Sequence, residues 1–338
     1  MFTLGASFIL PNSSSPQDII AGDLNNNGSV DLAVALRDPV GSVMILYNNG
    51  SGMFTAGPIV EVGDRPRGLT IGDMNNNGWL DLAVVNRDAN SASVITNDAG
   101  TFTAQTFSTI GESRDASFGD FSGDGWLDLA VSDRDNRVIR VFNNSGGVFS
   151  PGMVLSVGGQ VRPDGVIAAD LTGNGLIDIA TATSSTSPLI SQVSVFTNNG
   201  SGFAGPFNYA TGGSDASHLV AADLSCDGTL DLAVSNSDSN NVSILENLGS
   251  GTFGPPTLIA AGNRPGRIDA ADVTGNGGPD IAVPNRDSND VSVMLNQSEG
   301  CEGDDEPVDP KPEPCPGDLN GDGVVNVLDL LILLENWG

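Results

Sequence analysis

Strand-length apolar runs, broken by stretches rich in Gly, Asn and Asp, fill the chain from its start to about residue 296. Ile19-Ile20-Ala21, Leu32-Ala33-Val34 and Val43-Met44-Ile45-Leu46 come in sequence, and the same order returns at intervals of 47 to 53 residues. Short runs bounded by turn formers predict β-strands. Each unit reads as four of them. A strand opens at a Phe (Phe2, Phe54, Phe102, Phe149, Phe203, Phe253), a second ends in Asp, a third begins Asp-Leu-Ala or Asp-Ile-Ala, and a fourth resembles Val291–Leu295. No segment before residue 325 has helical periodicity. A repeated four-stranded unit joined only by turns predicts an all-β chain in which each unit is one antiparallel blade of a β-propeller.

One nine-residue loop recurs inside every unit. Its copies are loop 1 (Asp23–Asp31), loop 2 (Asp73–Asp81), loop 3 (Asp120–Asp128), loop 4 (Asp170–Asp178), loop 5 (Asp223–Asp231) and loop 6 (Asp272–Asp280). Positions 1 and 9 are always Asp and position 6 is always Gly. Position 3 is Asn25, Asn75, Ser122, Thr172, Ser225 or Thr274, and position 5 is Asn27, Asn77, Asp124, Asn174, Asp227 or Asn276. Alternating oxygens on one side of a tight turn suit a hard cation, and Gly permits the turn. The expected ligands are the side chains at positions 1, 3, 5 and 9 and the carbonyl at position 7, contributed by Ser29, Trp79, Trp126, Leu176, Thr229 or Gly278. This predicts about one Ca2+ per blade. Loops 1, 2, 4 and 6 have Asn at position 5 and so only two carboxylates. Low ligand charge points to binding at roughly 0.1–1 mM, to a calcium-rich surrounding and to a structural ion.

Charge supports that reading. The chain has 42 acidic and 13 basic residues, a formal charge of −29. This argues against nucleic acid and anionic membranes as partners, and six dications would offset part of the self-repulsion. No apolar run is long enough to span a membrane. Met1-Phe2 runs straight into repeat-like sequence, so a processed or missing leader is expected. Of three cysteines, Cys301 and Cys315 flank an acidic, Pro-rich stretch and are placed to pair, while Cys226, at position 4 of loop 5, reads as a structural free thiol.

The loop core D-x-[DN]-x-[DN]-G-x-x-D-[LI] between two strands resembles the FG-GAP/VCBS repeat family, over residues 2–296. The resemblance implies a β-propeller with one Ca2+ per blade, usually extracellular, in a family of integrin α-chain heads, adhesins, lectin-like modules and ancillary domains of enzymes. Six loops and six Phe favour six blades. The sixth repeat stops at Asn296 without its own Phe strand, and Phe2–Leu10 is a spare one, expected to complete that blade. A seven-bladed ring with a lost first blade is the alternative.

Arg segregates to the loops opposite the metal loops. Arg65, Arg67, Arg114, Arg162, Arg264 and Arg267 precede the Asp-ending strands, and Arg37, Arg87, Arg134, Arg137 and Arg286 follow the next ones. Local ion pairing with adjacent Asp is one reading. The other is a face that binds a carboxylated or sulfated glycan, or an acidic protein loop, through Arg65, Arg67, Arg264 and Arg267. Catalysis has little support: the single His, His218, precedes a strand, and no nucleophile elbow, P-loop or zinc spacing occurs. Trp79 and Trp126 either stack on sugar or pack between blades.

Residues 1–299 therefore form the propeller, and 300–316 an acidic Pro-rich linker. In residues 317–338, Asp318, Asn320, Asp322, Val324, Asn326 and Asp329 occupy EF-hand positions 1, 3, 5, 7, 9 and 12, before an apolar helix expected from about Val327 to Trp337. This tail resembles half of a type I dockerin and implies one more Ca2+ and a cohesin-like or anchoring partner. The expected function is an extracellular or cell-surface binding module for glycan or protein, without catalysis. The alternatives are a non-catalytic part of a polysaccharide-degrading assembly and, third, a lyase or hydrolase.

Overall fold

The structure, a computed structural model, describes residues 10, 15–38, 40–186 and 189–298. They fall into two compact units, one ending at Ser113 and one running from Arg114. The first unit holds two antiparallel sheets. Blade 1 is β1 (Pro16–Gly22), β2 (Asp31–Leu36), β3 (Ser42–Asn48) and β4 (Phe54–Glu61); blade 2 is β5 (Pro66–Gly72), β6 (Asp81–Asn86), β7 (Ser91–Asp98) and β8 (Thr101–Ser108). The second unit holds four. Blade 3 is β9 (Ser113–Gly119), β10 (Asp128–Asp133), β11 (Val138–Ser145) and β12 (Val148–Ser156), and blade 4 is β13 (Arg162–Ala169), β14 (Asp178–Thr186), β15 (Leu189–Asn198) and β16 (Phe203–Ala210). Blade 5 is β17 (Ala216–Ala222), β18 (Asp231–Asn236), β19 (Asn241–Leu245) and β20 (Thr257–Ala260), and blade 6 is β21 (Asp269–Ala271), β22 (Asp280–Asn285) and β23 (Asp290–Met294). This is the all-β, six-bladed propeller class expected from the repeats. The proposed closing strand at Phe2–Leu10 lies outside the described residues but for Leu10, as do the linker, the dockerin-like loop and its helix.

Blades pack face to face on their neighbours within each unit. One core cluster joins Leu24, Ala33 and Ile45 of blade 1 to Leu69, Leu82 and Ile95 of blade 2. Others join blades 3 and 4 through Phe121, Ile139, Val166 and Ile179, blades 4 and 5 through Leu171, Val193, Leu219 and Leu232, and blades 5 and 6 through Leu224, Val242, Ile268 and Ile281. A strand covered on both faces has no polar side to alternate with. Hence β2, β6, β10 and β18 are buried at every position, and read as Asp-Leu-Ala-Val runs. The outer strands β8, β12 and β16 alternate half-buried with exposed residues.

Every sheet is a meander, so hairpin order sorts the connections. The nine-residue loops and the Asn/Gly turns share one end of each blade and the Arg-bearing connections the other, as expected, but Arg67, Arg114 and Arg162 stand within the first two residues of β5, β9 and β13 and not in the loops before them.

Cys226 corrects the sequence reading. It is disulfide-bonded, not a free thiol. Cys301 and Cys315, the pair expected from the sequence, lie outside the described residues. The Cys226 backbone has φ +62°, a left-handed value that the other five loops give to Asn or Gly at this position. A Cys is a costly residue there, and the bond supplies the reason for it.

Candidate functional site

The six loops share one geometry. The Asp at position 1 accepts the N–H groups of positions 5 and 6 on its two oxygens, as Asp23 does from Asn27 at 3.1 Å and Gly28 at 2.7 Å, and Asp170 from Asn174 at 3.1 Å and Gly175 at 2.7 Å. The position 5 side chain accepts the N–H of position 7, from Ser29 onto Asn27 at 2.7 Å to Gly278 onto Asn276 at 3.0 Å. Gly at position 6 has φ between +81° and +87° in all six.

The Asp at position 9 is buried in every loop. Its Oδ2 accepts a backbone N–H from position 2 or 3, such as Leu24 on Asp31 or Thr172 on Asp178. Its Oδ1 accepts the backbone N–H of an Asn just beyond the next hairpin. These six bonds, from Asn48, Asn97, Asn144, Asn198, Asn247 and Asn296, measure 2.6 or 2.7 Å.

Each of these asparagines acts as a clasp. Five of them donate Nδ2 to the position 8 carbonyl of their own loop: Val30, Leu80, Leu127, Ile177 and Leu230. Four reach back a whole blade, to the position 2 carbonyl of the preceding loop. Asn97 binds Leu24 at 2.9 Å, Asn198 binds Phe121 at 3.0 Å, Asn247 binds Leu171 at 2.8 Å and Asn296 binds Leu224 at 2.9 Å. The sequence reading treated these residues as turn formers. The signal that would have found them is recurrence: an Asn stands 16 to 20 residues after the position 9 Asp in every repeat.

Electrostatics mark the loops as short of positive charge. Burial, with Asp23 nearby, raises the carboxyl of Asp31 to about 6, and burial, with Asp73 nearby, does the same for Asp81. Burial also pushes up Asp128 and Asp178, beside Asp124 and Asp170. Asp227 moves the other way, held down by hydrogen bonds from Thr229.

These residues fit a hard cation in several ways. The donor set is all oxygen, and a carboxylate such as Asp23, which accepts Asn27 N–H on one oxygen and Gly28 N–H on the other, keeps lone pairs for a metal; the Oδ1 of Asp120 and of Asp272 is more crowded, with three donors each. The position 3 hydroxyls of Ser122, Thr172 and Thr274 stand 3.3 to 3.4 Å from the position 1 carboxylate. At position 3 of loop 5 the buried Oγ of Ser225 makes no hydrogen bond of sound geometry. Among the described residues no three His, Cys, Asp or Glu side chains gather into one metal-holding group, so each loop would depend on amide, hydroxyl and carbonyl oxygens as well as Asp.

The Arg-bearing ends are paired internally. Arg65 meets Asp88 at 3.4 Å, and Arg264 meets Asp287 at 3.8 Å, both at exposed positions. Arg87 meets Glu112 at 2.6 Å, while Arg114 and Arg134 share Asp164. Most of these pairs cross between loops; of the adjacent pairs suggested by the sequence, Arg37–Asp38 at 2.9 Å is close. Arg67 also has a partner. Arg267 is of another kind. It donates to the buried Asp115 of blade 3 at 2.7 Å, and Asp115 also accepts the N–H of Val166 in blade 4. Burial pulls the Arg267 guanidinium down to about 10. It is a fixed part of the second unit. His218 is half-buried within β17. Asp318, Asn320, Asp322, Val324, Asn326 and Asp329 lie outside the described residues.

Residues 23–84, 73–131, 120–181 and 227–283, together more than half of the chain, match the pattern of the FG-GAP-like repeat. No curated protein matches the sequence. Among solved structures, a protein from Lactobacillus plantarum is similar over 74% of this chain and 72% of its own, with 14% identity and a TM-score of 0.56. A functionally unknown protein from Desulfotomaculum acetoxidans DSM 771 is similar over 75% of both chains, with 15% identity and a TM-score of 0.51. The Tc holotoxin pore of Photorhabdus luminescens covers 82% of this chain at 18% identity and a TM-score of 0.44, and the match spans 14% of that much longer chain. At such identities the likeness speaks to the fold alone.

Proposed function

The chain belongs to the FG-GAP-like repeat family, and from that premise we propose that it is a calcium-stabilised recognition module working outside the cell. One observation carries the metal assignment: in blade after blade a buried Asp stands beside a second carboxylate, and for Asp31 and Asp81 burial drives the carboxyl up to about 6. A dication would neutralise each pair. Bound there, Ca2+ would supply charge compensation and hold the first hairpin of each blade; the chain's own residues do the shaping, through the N–H groups that aim the position 1, 5 and 9 side chains. Extracellular placement is supported by the family and by the disulfide at Cys226, a bond that persists in oxidising surroundings. Among the described residues no helix is long and apolar enough to cross a membrane.

For the ligand, we favour a glycan or protein bound at the loop ends opposite the metal loops. Exposed pairs such as Arg65–Asp88 and Arg264–Asp287 are worth little on their own and open at small cost to an incoming anion. Arg267 is dropped from the ligand set, because its removal would strand Asp115. The tail, with its EF-hand spacing, serves as an anchoring or sorting tag; a polysaccharide-degrading assembly that reads such tags is the second setting. Binding on a glycan array, lost about tenfold by Arg65→Ala with Arg67→Ala in the first unit or by Arg264→Ala in the second, at unchanged melting temperature, supports this reading. Unchanged binding by both variants would move the site elsewhere.

A further inference from the structure

Four clasp asparagines connect a loop to the one before it, beside the residues expected to hold a metal. In loop 4 the carboxylate of Asp178 accepts the backbone N–H of Asn198 at 2.6 Å. The side chain of Asn174, at position 5, donates Nδ2 to the carbonyl of the same Asn198 at 2.9 Å while its Oδ1 faces the N–H of Leu176. Two expected metal ligands of loop 4 thus hold the main chain of Asn198 from both sides. The Nδ2 of Asn198 then binds the carbonyl of Phe121 at 3.0 Å. Phe121 lies between Asp120 and Ser122, two expected ligands of loop 3.

The same path recurs. Asn77 donates to the carbonyl of Asn97, which reaches Leu24 in loop 1. Asn276 donates to the carbonyl of Asn296, which reaches Leu224 in loop 5. In loop 5 position 5 is Asp227, which has no proton to give; the Thr229 hydroxyl donates to Asp227 at 2.6 Å and lies 3.3 Å from the Asn247 carbonyl, so the grip on this clasp is weaker. This accounts for Asn at position 5 of loops 2, 4 and 6. An Asp there would add charge for the metal and lose the donor that grips the clasp.

We infer that these asparagines couple neighbouring metal loops, so that filling one loop raises the affinity of the loop before it. The inference rests on the calcium reading above. The physical route is shared ordering. A metal in loop 4 fixes Asn174 and Asp178, which fixes Asn198, which fixes the Phe121 carbonyl between two ligands of loop 3. The second ion then finds less disorder to remove. Coupling of this kind is typically worth a factor of about 5–150 in affinity.

Trp126, at position 7 of loop 3, provides the readout. In the full chain with Trp79→Phe and Trp337→Phe, terbium luminescence sensitised by Trp126 reports loop 3 alone. Asp170→Asn, which disables loop 4 without touching Asn198, should weaken terbium binding at loop 3 about tenfold. In an Asn198→Ala background the same substitution should make no further difference. Terbium binding that Asp170→Asn leaves unchanged overturns the coupling while leaving the metal site standing. No sensitised binding at all overturns the metal reading, and the coupling with it. Should Asn198→Ala fail to fold, Asp170→Asn alone decides between these outcomes.

Discussion

At the scale of single residues, the position 9 Asp is the most burdened side chain of the repeat. It is buried, it holds two stretches of backbone, and it faces another carboxylate. Its carboxyl at about 6 in Asp31 and Asp81, against about 4 in an unfolded chain, has a definite consequence. Between those values the folded state binds protons that the unfolded chain has released. Metal-free protein should therefore gain stability as pH falls from 7 toward 4, by up to about 1.4 kcal/mol per pH unit for each such group. With calcium bound the trend should reverse, because protons then compete with the metal. Melting curves at pH 7, 6 and 5, metal-free and calcium-loaded, check both signs; a metal-free protein that loses stability on acidification contradicts the burial argument. The clasp gives a second expectation. Asn198→Ala leaves the carbonyls of Phe121 and Ile177 without their side-chain donor, at about 1–3 kcal/mol for each, measurable by urea unfolding. The loops themselves were legible in the sequence because a tight turn held by Asp and Asn side chains dictates residue types at fixed spacing. The clasp was not, because an Asn near Gly reads equally well as a turn former. Only the fold shows that its amide crosses to another blade.

At the scale of elements, the strands and their order were readable because the blades impose them. A strand covered on both faces must be apolar throughout, and β6 and β18 show this as Asp-Leu-Ala-Val. Tight packing between strands was not readable. The buried Asn86, Asn236 and Asn285, each at the end of a second strand, lie flat against Gly63, Gly213 and Gly262, where a β carbon would come within 2.4 to 2.6 Å of the amide. Gly213→Ala should therefore cost about 1–3 kcal/mol by overpacking, and an unaltered urea midpoint would show that the Asn236 side chain has room to retreat. Cys226 teaches a similar lesson. Its sequence position suggested an idle thiol, but its left-handed backbone and its bond belong together. Peptide mapping without reductant should recover Cys226 in a disulfide-linked peptide; recovery as an alkylated thiol from the native protein would contradict it.

At the scale of the whole molecule, a formal charge of −29 and six acidic loops belong to one account. Carboxylates that would repel one another are held close by N–H donors, and on the calcium reading proposed above a cation at each blade would return the balance. The most direct test of the central claim is the melting temperature in millimolar calcium against the same protein in excess chelator. Six sites filled at about 10 times a dissociation constant of about 0.1 mM would each add about 1.4 kcal/mol, so the account predicts a fall of more than about 10 °C on chelation. Superimposable melting curves in calcium and in chelator would contradict it.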